Sequence, residues 1–316
     1  MVLINQKDCI ISRKNLGLSD CIIQEGRLTG FIIVPKGWAI NLETDTFDLA
    51  YVNEQIQLGN FVPVLGAIEA TNGTPEATTE EYQGGVKSVV RNGLPEYTFK
   101  FLKGGWKFAS ALYTYNSFQA FDILFVFSSG AIAGATNGTT FSGFDLGMLN
   151  SGTYMFTDGS TSASVTVSMQ LINEVQFNRD VAILDADSLG FKVNVDISPI
   201  TDIVITARAD VSDAKVYFKP VFETNRATTL GGIAIANLRS TISGVVDVIT
   251  AASLSYNAIT KEYQYTPTAT LTTSSTVTVE LYDSVEAVSC CKIGSRFFKG
   301  ISNTATAKKK KKVVSL

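Results

Sequence analysis

Histidine is absent from all 316 residues. With it goes the commonest general base and the commonest metal ligand. Ser–His and Cys–His activation of a nucleophile are excluded, so catalysis would fall to carboxylates, Lys, Tyr or Cys. Charge is also scarce: Asp, Glu, Lys and Arg make up 17 % of the chain, against roughly 25 % in average soluble domains. Hydrophobic residues reach 45 % and the mean hydropathy is +0.18, so polarity comes mainly from Ser, Thr, Asn and Gly. A surface of this kind repels its own copies weakly and suits large permanent contacts, although an ordinary neutral β-protein surface has the same composition. The net charge of −3 gives no general attraction to nucleic acid or to an anionic membrane.

Cysteine is sparse, at Cys9, Cys21, Cys290 and Cys291. No Cys-x-x-Cys pair occurs, and adjacent cysteines are poorly placed to hold one zinc. Reduced, partly buried thiols in a protein made in a cytoplasm are expected, with a bridge between the N- and C-terminal pairs left open. Lys7 and Asp8 interrupt the N-terminus before an apolar stretch forms, so no secretory signal is expected. The longest apolar cluster, residues 123–127, is far short of the ~20 needed to span a bilayer; a soluble protein without membrane contact is expected.

Chemical motifs are missing too. No G-x-S-x-G, Walker loop or G-x-G-x-x-G lies between a strand and a helix. Asp180, Asp185 and Asp187 offer hard oxygen ligands but not the glycine-punctuated spacing of a calcium loop. They read as solvated acids, as do Asp45, Asp48 and the pair Glu80–Glu81. No catalytic residue, metal or cofactor is expected, and the chain is not read as an enzyme.

What remains is a dense β signal. Residues 38–42 and 97–102 alternate apolar and polar, the second run following an Asn92-Gly93-Leu94-Pro95 turn. Residues 106–113 read as a further strand, 122–127 as a buried one turned by Ser129-Gly130 into 131–133, and 164–171 alternates over its whole length. Short strands with short turns are the mark of a sandwich or barrel. Phe99, Phe101, Trp106, Phe108, Phe125 and Phe127 fall at period-two spacing and are expected in the core. One segment departs from this: Leu49, Val52 and Ile56 keep helical spacing. Thr44 or Asp45 is placed to cap that helix and Gly59 to end it; it would cover a face or edge of the sheet.

Residues 71–85 (TNGTPEATTEEYQGG) lack periodicity and read as a long exposed loop or hairpin arm. Thr71, Asn72, Glu76, Glu80, Glu81 and Tyr82 are its candidates for reaching a neighbouring copy. A domain change is expected near residues 196–201, giving a first domain over 1–196. A second, over 197–301, carries strands at 202–207, 215–219, 231–238, 254–258, 263–267, 276–281 and 287–292. About seven short strands over ~95 residues is an immunoglobulin-like (Ig-like) pattern. Residues 302–316, with five lysines in a row at 308–312, read as a disordered tail. Solubilisation is the simpler role for it, and contact with an acidic surface or nucleic acid the alternative.

The stretches Gly59-Asn-Phe-Val-Pro63, VKSVVRNGL at 86–94 and Phe99-Lys-Phe-Leu-Lys-Gly-Gly105 resemble virion tail proteins of bacteriophages. So do Leu112-Tyr-Thr-Tyr-Asn-Ser117, Phe121-Asp-Ile-Leu124 and Gly143-Phe-Asp145. The similarity points to crAss-like and related phages of Bacteroidota and covers roughly residues 30 to 185; the C-terminal part resembles Ig-like modules appended to tail-tube and capsid proteins. The resemblance implies a mainly β fold, a tail-tube-like β-sandwich or barrel with one flanking helix, followed by an Ig-like sandwich. It implies a homo-oligomeric ring or tube, assembled in the bacterial host cytoplasm and incorporated in the virion. Neighbouring tail or portal-proximal proteins would contact it, and double-stranded DNA would pass through the lumen without specific binding. The loop at 71–85 would then lock one ring or subunit to the next. Strand residues 97–113 would line the channel, with Thr98, Lys100, Lys107 and Ser110 facing it. The competing expectations are a capsid decoration or head-fibre protein and, from another class, an extracellular adhesin, which an aromatic binding shelf would favour.

Overall fold

A computed structural model describes residues 4–5, 26–102, 105–223, 225–250 and 253–309. Strand accounts for 45 % of the described residues and helix for 13 %, so the protein is mainly β. It divides into two compact units, Met1–Ile197 and Ser198–Leu316.

In the first unit the strand Leu28–Pro35 is almost entirely buried, as expected of a run apolar on both faces. It pairs antiparallel with Phe121–Phe127 on one side and with Val62–Leu65 on the other. Phe121–Phe127 also pairs with Ile132–Thr136, which continues to Val181–Leu184 and Thr140–Ser142. Phe144–Ser151 joins this half of the sheet to the other. Asp145 and Phe144 pair with Asp122 and Ile123; from Leu146 on the strand pairs with Val165–Leu171, with a register shift between Leu146 and Met148. Glu96–Phe101 and Glu69–Asn72 then complete the second half.

The two halves face each other across one core. Phe31 meets Phe99 with ring centroids 5.2 Å apart, and Phe125 meets Tyr97 at 5.1 Å, with Ile33, Leu146, Val167 and Met169 in the same cluster. The layout is sandwich-like. The helix Leu49–Gln57 buries Val52 and Ile56. Its N-cap is Asp48, whose carboxylate accepts from the Tyr51 N–H at 2.8 Å, and not Thr44 or Asp45. Gly59 ends it at φ +80°, where a side chain would be strained. Trp38 packs beside this helix on Phe61, at 5.0 Å, and on Phe141.

One expected strand is a helix. Gly105–Tyr113 is α-helical and buries Ala109 and Leu112, three residues apart on its inner side. Phe108 packs on Phe101 as expected of a core residue, whereas Trp106 is 61 % exposed.

A polar clamp ties the sheet together. Lys36 Nζ lies 2.7 Å from Asp122 Oδ1 and 2.9 Å from Asp145 Oδ1. The Gly37 N–H donates to the other Asp122 oxygen and Asn173 to Asp145. Asp122 is buried, and these partners meet its charge.

The second unit is two sheets around one core. Six strands run in the order Ser255–Asn257, Glu262–Tyr265, Lys215–Phe222, Thr201–Asp210, Arg296–Lys299 and Cys291–Ile293. Four run Val245–Asp247, Leu238–Ile242, Thr276–Leu281 and Ala305–Thr306. Ile205, Phe218 and Tyr265 from one sheet share the core with Leu238, Val277 and Val279 from the other. The segment expected as a strand at 231–238 is a loop and a short 3-10 turn, Ile235–Asn237, and the strand begins only at Leu238. Nor is the C-terminal stretch a free tail over residues 302–309. Ala305–Thr306 pairs with Thr276–Leu281, Ala307 is buried, and Lys308 bridges in parallel to Asp210. The rest of the lysine run, from 310 on, lies outside the described residues.

Candidate assembly surfaces

The expected loop at 71–85 is built in two parts. Thr71 and Asn72 belong to the edge strand Glu69–Asn72 of the main sheet. Beyond them Thr78–Glu81 and Lys87–Arg91 pair only with each other, as a two-stranded arm. Both strands of the arm are exposed almost throughout. On one side Tyr82 reaches Glu80 at 3.3 Å and Ser88 at 3.4 Å; on the other Lys87 faces Glu81 at 3.6 Å. Val86, Val89 and Val90 are each about 60 % exposed. Glu76 sits at the foot of the arm, in a small cleft with Pro75, Arg91 and Gly93. The foot is fastened by Gly73 N–H to the Glu96 carbonyl and by Asn92 to Glu174.

A two-stranded ribbon is marginal in water without a surface to pack on. This one keeps its paired charges outermost and its valines uncovered. Such an arrangement can dock against another body through apolar contact and offer a free strand edge for pairing.

The second surface is the outer face of the sheet half that carries Glu96–Phe101. Its inner face holds Phe99 and Phe101, so alternation sends Thr98 and Lys100 outward. Register then lays out rows. Thr71, Thr98, Ser168 and Asn150 stand side by side, and Glu69, Lys100 and Thr166 form the next row. Thr98 Oγ1 and Ser168 Oγ are hydrogen-bonded at 3.1 Å. The face is hydroxyl- and amide-rich, and Glu69 stands opposite Lys100. Of the expected channel residues, the fold therefore groups Thr98 and Lys100 with Thr71. Lys107 and Ser110 do not join them, because their segment is a helix.

That helix carries a surface the strand reading missed. Trp106, Ser110 and Tyr113 lie on one stripe, and a helical period applied to residues 105–113 finds it. Trp106 stacks on Phe156 at 5.7 Å and meets Tyr154 edge-on at 5.8 Å.

Among the described residues no group of three metal-ligating side chains occurs. Asp180 is engaged by Arg179 at 3.0 Å and Asp185 accepts from the Asp187 N–H. Among the same residues no helix is long and apolar enough to cross a membrane. Cys290 and Cys291 are buried thiols; Cys9 and Cys21 lie outside the described residues. No model of a known protein family and no curated protein sequence matches this chain.

Proposed function

We propose that this chain is a virion structural protein of a bacteriophage tail, a subunit that joins copies of itself into a tube or ring around a passage for DNA. The observation that carries this is the arm 78–91, a ribbon with Val86, Val89 and Val90 turned to solvent. Ordering a ribbon costs conformational entropy that its own few contacts do not offset, and a neighbouring subunit supplies the missing surface. The polar sheet face supports the second half of the reading. A wall for passing DNA should hold phosphates weakly, and Glu69, Glu96 and Lys100 among hydroxyls leave it without a basic excess. In this reading the first unit is tail-tube-like and the second an appended Ig-like module. Other tail or portal-proximal proteins cap the ring, the protein acts through interfaces and not as an enzyme, and assembly takes place in the host cytoplasm without membrane contact.

Electron microscopy of the purified full chain tests the proposal. Rings or tubes with a central lumen are expected, and replacing Val86, Val89 and Val90 together by serine should disperse them without unfolding the protein. A strictly monomeric chain at high concentration that binds only to assembled capsids would sink the tail reading and assign the protein to capsid decoration.

A further inference from the structure

We propose that the groove between the helix Gly105–Tyr113 and the chain leaving the strand Phe144–Ser151 is a binding site for a neutral saccharide. Trp106, Ala109, Ser110 and Tyr113 line one wall, and Ser151, Gly152, Thr153 and Tyr154 the other, around about 280 Å³. That volume lies just under the usual span of small-molecule sites.

Three features select the ligand. The first is an aromatic shelf left open: Trp106, Tyr113 and Phe156 are 61 %, 68 % and 70 % exposed, and Phe156 braces one face of the indole in a near-parallel stack of 23°. Contiguous exposed apolar surface marks recognition, and a braced aromatic face fits the C–H face of a sugar ring. The second is charge. No lining residue is ionised at neutral pH, so nothing there would hold a phosphate, a carboxylate or an ammonium group. The third is an unmet hydrogen bond. Ser151 is 4 % exposed, lines the groove, and its hydroxyl has no partner, whereas buried hydroxyls are normally paired. A ligand hydroxyl can supply that partner once rotation about the Ser151 side chain turns its hydroxyl toward the groove, with Ser110 and Thr153 alongside. None of these residues belongs to the arm, so the site does not depend on self-assembly.

Calorimetric titration of the full chain with neutral gluco-, manno-, galacto-, xylo- and N-acetylglucosamine oligosaccharides tests the site. Saturable binding of at least one is expected. Trp106→Ala and Tyr113→Ala, both at exposed positions, should each weaken it about tenfold while leaving the thermal midpoint unchanged, and Ser151→Ala should weaken it severalfold. The proposal is overturned if the whole panel fails to bind, or if binding survives both aromatic substitutions. It is equally overturned if Trp106→Ala alters the oligomeric state of a chain that binds no sugar, which would make the groove a protein contact.

Discussion

Gly93 lies against the backbone of Pro75 so closely that a Cβ at position 93 would fall 1.8 Å from the Pro75 carbonyl oxygen. The two legs of the arm meet at this point, and only a residue without a side chain permits the contact. Gly93→Ala should push the legs apart at a cost of about 1–3 kcal/mol. Faster amide exchange and proteolysis confined to residues 75–93, with the remaining strands protected, is the expected signature.

The clamp of Lys36, Asp122 and Asp145 sets an acid limit on stability. Burial opposes ionisation of Asp145, but hydrogen bonds from Lys36 and Asn173 outweigh it and hold its pKa below the ordinary value. Its contribution is therefore complete above the unfolded carboxyl pKa of ~3.9 and is lost as pH falls through the lower folded value. Denaturation midpoints should drop below about pH 4, and Asp145→Asn should flatten that drop. Lys36→Met, which strands the buried Asp122, should cost about 1–3 kcal/mol at neutral pH.

In the second unit the Tyr265 and Ser240 hydroxyls are hydrogen-bonded inside the core, where Ser240 is fully buried. Tyr265→Phe keeps the ring and leaves the serine unpaired, so a loss of about 1–3 kcal/mol is expected. The double variant with Ser240→Ala should recover part of it; a cycle with no coupling would show that the contact contributes nothing.

Burial raises the thiol pKa of Cys290 to about 11 and of Cys291 to about 12. Since the thiolate is the reactive form, iodoacetamide at pH 8 should label both at least about a hundredfold more slowly in the native protein than in urea. Peptide mass spectrometry separates them from Cys9 and Cys21.

The strands that face one core could be read from the sequence because burial on one side imposes a period of two. Phe99 and Phe101 alternate with Thr98 and Lys100, and Val165, Val167 and Met169 with Thr166 and Ser168. Residues 106–113 show why the same rule fails elsewhere. Trp106-Lys107-Phe108 continues the period of two, but from Phe108 on the apolar residues fall in adjacent pairs, Ala, Leu and Lys favour a helix, and Ala109 and Leu112 bury at helical spacing. The strand reading of Lys107 and Ser110 fails for that reason, and with it the stripe of Trp106, Ser110 and Tyr113 escapes notice. The final residues were misread for a different cause. Composition near a lysine run suggests disorder, but Ala305–Thr306 is held by pairing with Thr276–Leu281, and partners remote in sequence leave no local trace.

Those remote partners also set the timetable on which the second unit forms. Thr201 and Asp202 pair in parallel with Phe298 and Lys299, and Ile205 and Asp210 with Ser302 and Lys308. The opening strand thus waits for nearly the whole unit to leave the ribosome before its outer edge is covered. Closure over such a span is slow, because loop entropy is lost before any contact rewards it. Folding of this unit therefore completes only after its late strands have emerged, and until then the uncovered edge of Thr201–Asp210 is open to capture by another nascent chain.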